Sequence, residues 1–110
     1  MADVALERDL VDDLRKAAKA MGVLLAEIGQ RKAKGSGSTI GIPDCILIAN
    51  GHVELIEVKR SKADDHRAGE LTVGQIAFTQ RAAEQGVKVH AVWTLQEFVE
   101  IVNGCRRRKP

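Results

Sequence analysis

The chain has 110 residues, 45% hydrophobic and 29% charged, which fits one globular domain and excludes wholesale disorder. The formal net charge is only +2, and Arg106, Arg107, Arg108 and Lys109 outweigh it, so the rest of the chain is net acidic and overall charge argues for no nucleic-acid partner. Phe78, Trp93 and Phe98 are too few aromatics for a base-stacking platform, and no apolar run approaches the roughly 18 residues of a membrane span.

Residues 4–21 read as an amphipathic helix with Asp3 as N-cap, because Leu10, Val11, Leu14, Ala18 and Met21 recur at three- and four-residue steps before Gly22. A short apolar run over 23–28 reads as a strand. Residues 29–41 form a Gly-, Ser- and Lys-rich basic loop. Two β-rich runs over 45–49 and 52–59 flank Asn50-Gly51, the strongest short-range signal for a two-residue hairpin turn. Thr72-Val73-Gly74-Gln75 has the form of a capping box and opens a helix to Gln85. Residues 87–93 read as a strand. Thr94-Leu95-Gln96-Glu97 opens a last helix to about Asn103, with Gly104 behind it. The order α-β-β-β-α-β-α predicts an α/β domain on a small mixed sheet, whose last two strands are parallel.

The hairpin turn sets a register. Ala49 pairs with His52, Ile48 with Val53, and down the ladder Asp44 faces Glu57. Like charges opposite one another, with Cβ atoms about 4.5–5.5 Å apart, destabilise a sheet. Asp44, Ile46 and Ile48 share a face with Val53, Leu55, Glu57 and Lys59, and this face is expected to be the buried one. Two carboxylates and a lysine at one end of an apolar face suit Mg²⁺ or Mn²⁺, hard cations that take oxygen ligands. The competing reading is a surface Glu57–Lys59 pair and a turn at Asp44. Glu7 lies within about 60° of Leu10, Val11, Leu14, Ala18 and Met21 on the helical wheel. A carboxylate there needs a partner or a metal, unless it reaches solvent or favours the helix dipole. Gln75 is explained by the capping box alone. Arg31, Lys32, Lys34 and Ser36 lead toward Asp44 as a DNA phosphate contact or a solvated linker. His52, His66 and His90 are scattered and read as non-ligands. The 106–109 run reads as a disordered tail. Cys45 and Cys105, with no C-x-x-C, fit a reducing cytoplasm, as does the lack of a secretory pattern at Met1-Ala2-Asp3.

Gly41-Ile42-Pro43-Asp44, with Glu57-Val58-Lys59 after twelve further residues, resembles the signature of the PD-(D/E)XK nuclease superfamily. Glu7 ahead of it, and Leu71-Thr72 with Gln75 and Gly86 behind it, narrow the resemblance to the VRR-NUC (virus-type replication-repair nuclease) family over roughly residues 5–100. Gly74 departs from the pattern, where an acidic or polar residue is common. The resemblance implies a restriction-endonuclease-like core in residues 1–105, with 106–110 as a basic tail. It implies a deoxyribonuclease dependent on Mg²⁺ or Mn²⁺ and no organic cofactor. Asp44, Glu57 and the Val58 carbonyl would bind metal, Glu7 would complete the coordination, Lys59 would serve the attacking water, and Gln75 would support the site. Branched, flapped or nicked DNA is the implied substrate. The alternatives are a Holliday-junction resolvase and a non-catalytic DNA-binding subunit. A homodimer is expected, through the apolar stripe of Leu95, Phe98, Val99 and Val102, with Ile101 on its flank.

Overall fold

The computed structural model describes residues 6–28, 41–59 and 71–109, with side chains from residue 9 onward. The elements follow the expected order: α1 (Leu6–Met21), β1 (Leu24–Glu27), β2 (Cys45–Ala49), β3 (His52–Val58), α2 (Val73–Glu84), β4 (Val89–Val92) and α3 (Leu95–Arg107). The strands form one sheet in the order β1-β2-β3-β4; β1–β2 and β2–β3 are antiparallel and β3–β4 is parallel. Among the described residues no helix is long and apolar enough to cross a membrane.

The β2–β3 register is the one that the turn predicts, with Ala49 opposite His52 and Cys45 opposite Ile56. Asn50 and Gly51 both have positive φ, 52° and 80°, as a two-residue hairpin turn requires. The Asn50 side chain adds a tertiary role. Its Nδ2 donates to the carbonyls of Cys105, Arg106 and Arg108 at 3.0, 3.4 and 2.9 Å, which supplies donors at the C-terminal end of α3.

The buried face of the sheet is the opposite of the one expected. Cys45, Leu47, Ala49, Ile56 and Val58 are buried with Leu14 and Ala18 of α1 and Phe98, Val102 and Cys105 of α3. Ile48 and Val53, on the other face, are exposed, as is Leu24 opposite Ile48. Both faces of the hairpin carry apolar residues, so strand alternation alone cannot rank them.

Two further expectations fail around α3. The helix does not stop at Asn103; it runs through Gly104 to Arg107, because the Asn50 amide and the Arg108 N–H supply donors at its end. Phe98 and Val102 are fully buried inside the chain, so this part of the stripe assigned to a dimer contact closes the core, while Leu95 stays exposed. Arg106 and Arg107 form its last turn rather than a tail, and the Arg106 guanidinium donates to the Met21 carbonyl at the end of α1.

Candidate active site

Asp44 stands just before β2, behind the buried Pro43, and Glu57 and Lys59 lie at the C-terminal end of β3. The ladder ends at Cys45–Ile56, and the Asp44 N–H donates to the Ile56 carbonyl at 3.1 Å. The Asp44 side chain crosses to β3, where Oδ2 accepts from the Val58 N–H at 2.8 Å. Its carboxyl also comes within hydrogen-bonding reach of Glu57. Burial is the main cause that raises the Asp44 carboxyl above the ordinary carboxylate range. The Val58 N–H and the Lys59 charge oppose that rise, and Glu27 adds to it.

Glu57 is 6% exposed although it is on the less covered face of the sheet. What shields it is the first turn of α2. Gln75 Nε2 donates to Glu57 Oε2 at 2.5 Å, and Gln75 Oε1 accepts from Lys59 Nζ at 3.0 Å. The Lys59 ammonium sits 3.9 Å from the same Glu57 oxygen. Gln75 is also the third residue of the capping box: its Oε1 accepts from the Thr72 N–H at 2.9 Å, and its own N–H donates to Thr72 Oγ1 at 3.1 Å. One amide therefore starts a helix and links the glutamate to the lysine.

Gly41 sets the distance between α2 and the acidic pair. It has φ +81°, and a Cβ placed on it would stand 2.2 Å from the Gly74 carbonyl oxygen and 2.9 Å from the Gln75 nitrogen. Only glycine permits both the conformation and the approach. Gly74, the departure from the family pattern, is the residue against which Gly41 packs.

One group was missed. Glu27, at the end of β1, lies near enough for its charge to act on Asp44, while its Oε2 pairs with Arg15 Nη1 at 2.8 Å. The signal was the β1–β2 register, which sets Glu27 opposite Cys45 and which no short turn fixes in the sequence. The group of Val58 that meets Asp44 is its N–H. Glu7 falls in the first turn of α1, with its side chain outside the described residues; Arg31, Lys32, Lys34 and Ser36 lie outside them altogether.

Among the described residues no three His, Cys, Asp or Glu side chains are grouped to hold a metal. The donor set of Asp44 and Glu57 nonetheless fits Mg²⁺ or Mn²⁺. Such ions are commonly held by one or two carboxylates, with water and substrate phosphate filling the shell. A cation there would also relieve the cost of a buried and a half-buried acid side by side.

No family model matches the sequence, and no match was found among curated proteins. Among solved structures, one described as a VRR_NUC domain superposes with a TM-score of 0.64 at 16% identity, covering 88% of this chain and 94% of its own. The likeness shows a shared fold, and it falls on the family that the motif from Gly41 to Gln75 resembles.

Proposed function

We propose that the protein is a metal-dependent deoxyribonuclease that hydrolyses phosphodiester bonds. The observation that carries this reading is the linked set itself: Asp44 beside Glu57, with Gln75 joining Glu57 to Lys59. A structural role does not account for it, because a facing acidic pair lowers stability.

Asp44 and Glu57 would hold the cation, and Glu7 or the Val58 carbonyl could add a ligand. When bound, the ion would acidify a water and neutralise charge on the scissile phosphate. Lys59 is steered by Gln75 Oε1, so its Nζ presents a fixed positive charge to the phosphate and can hold or pass a proton at the attacking water. The ammonium adds charge without competing for the metal. Gln75, held at the start of α2, keeps Glu57 and Lys59 in one orientation before substrate arrives.

The finer reading is a replication or repair nuclease in the cytoplasm, acting as a homodimer on branched, flapped or nicked DNA. The exposed apolar side chains of Leu24, Ile48 and Val53 supply surface for the dimer that the buried Phe98 and Val102 do not. Plasmid nicking with and without Mg²⁺ or Mn²⁺ tests the activity. Cleavage that requires the ion and is lost in Asp44→Ala is expected; cleavage that survives that substitution sinks the assignment. Four-way, flapped and linear substrates compared side by side separate junction resolution from flap or nick cleavage. Light scattering near twice 12.0 kDa is the expected mass.

A further inference from the structure

A second group of ionisable side chains lies toward the hairpin end of β3, on the opposite face of the sheet from Glu57. A cleft of about 380 Å³ opens there, within the size range of small-ligand sites. Its floor is Glu54, 4% exposed. Both carboxylate oxygens are engaged: Oε1 accepts from the His90 Nε2–H and Oε2 from Arg108 Nη2 at 2.6 Å. One negative charge is thus answered by an arginine and a histidine. Lys88, just before β4, and Arg107, in the last turn of α3, add two more cations to the lining. Among the described residues neither makes an ion pair or a side-chain hydrogen bond. The cleft therefore carries an excess of positive charge that the described residues do not neutralise.

Gly104 supplies the second observation. It lines the cleft from inside α3, where glycine is a much poorer helix former than alanine. A Cβ built on it meets nothing within 4 Å, so internal packing does not require the glycine. What the missing side chain preserves is open space in the cleft. The nearby carbonyls at the end of α3, whose partial negative charge would repel an anion, are turned to the Asn50 amide.

We propose that this cleft binds a phosphoryl group, presented by a nucleic-acid backbone or by a free nucleotide. Lys88 and Arg107 are its direct cationic ligands, and Glu54 positions the Arg108 guanidinium beside them. The site is separate from Asp44, Glu57 and Lys59, and it stands whether or not the protein cleaves DNA.

The test is an amide-resolved NMR titration of the full ¹⁵N-labelled chain in EDTA, which prevents metal-dependent cleavage, with inorganic pyrophosphate, ATP and a short DNA duplex as separate probes. Pyrophosphate should shift the amides of Lys88, His90, Gly104 and Arg107. The paired substitutions Lys88→Glu and Arg107→Glu should weaken binding by at least about tenfold. Gly104→Leu, a better helix former that fills the space, should remove binding with the fold retained. If charge reversal disturbs folding, Lys88→Gln with Arg107→Gln should give the same loss at smaller amplitude. A backbone ligand is indicated if the duplex shifts the same amides and the paired variant lowers the salt slope of duplex binding by about two. A nucleotide is indicated if ATP shifts them and the duplex does not. Absence of shifts with every probe at millimolar concentration, or shifts unchanged in both Gly104→Leu and the paired variants, overturns the proposal. A chain that binds pyrophosphate here and cuts nothing keeps the cleft and loses the nuclease.

Discussion

β3 buries two glutamates three residues apart, on opposite faces of one strand, and their surroundings differ. Glu54 has a cation on one oxygen and a histidine on the other, and these interactions lower its carboxyl below the ordinary range against the opposing effect of burial. Glu57 meets another carboxyl, a neutral amide and a lysine ammonium 3.9 Å away. The first site is electrostatically answered within the fold. The second sets two acids beside one lysine, whose charge acts on both. Burial alone does not distinguish them, since both are under 10% exposed. What distinguishes the two acids is the company each keeps: an arginine and a histidine for Glu54, a second carboxyl for Glu57.

Substitution separates the two. Glu57→Gln should lower metal-dependent cleavage by at least about 10²–10³-fold, the scale of losing one electrostatic contact at a reacting centre. Stability should hold or rise, because the acidic pair is gone; activity within threefold of the parent would remove Glu57 from the site. Lys59→Ala should lower turnover by a similar factor while DNA affinity changes little, since one lysine is a small part of a multi-phosphate footprint. Equal losses in single-turnover rate and in binding would make Lys59 a docking residue instead. Gly41→Ala sharpens the Glu57 side without touching a charge. The new Cβ must push α2 away, so cleavage should fall by about 10–100-fold, the range for losing a group that orients a metal ligand. Gln75→Ala should reproduce that loss, and a Gly41→Ala protein of full activity would mean that α2 does not hold the site.

The smallest effect belongs to Glu54. Glu54→Gln should cost about 1.5 kcal/mol, the low end for hydrogen bonds to a charged group, because Arg108 can turn to solvent. The same carboxyl makes the fold acid-sensitive. Its folded-state pKa is depressed, so its stabilisation is present above the ordinary glutamate value and is lost as pH falls through the lower, folded value. Melting temperature should therefore drop more steeply with acid in the parent than in Glu54→Gln. Parallel curves would remove Glu54 from the acid response.

The element order, the hairpin register and the first-turn role of Gln75 were legible because each rests on short-range chemistry: an Asn-Gly turn, a capping box, and helical spacing. The face that carries the core was not. Choosing it meant knowing that Glu54, on the core face, would find Arg108 and His90 from two distant segments. The end of α3 was misread for a related reason: Gly104 is a stop signal locally, and the donors that carry the helix past it include an amide 55 residues away. Glu27 was missed because no local rule fixes how β1 aligns on β2.

The bond pattern of Asn50 also bears on how the protein ages. In an Asn-Gly pair the next backbone nitrogen attacks the side-chain carbonyl with little steric hindrance, expelling ammonia, and the ring then opens to aspartate or isoaspartate. The leaving nitrogen is Nδ2, the atom that here donates to the carbonyls of Cys105, Arg106 and Arg108. The folded state therefore restrains the group that must depart, and an unfolded excursion frees it. Once deamidated, the turn would present a carboxylate with no proton to give to the same carbonyls. Chemical damage at the hairpin tip would then register first as fraying at the far end of the sequence, in the turn that carries Arg106 and Arg107.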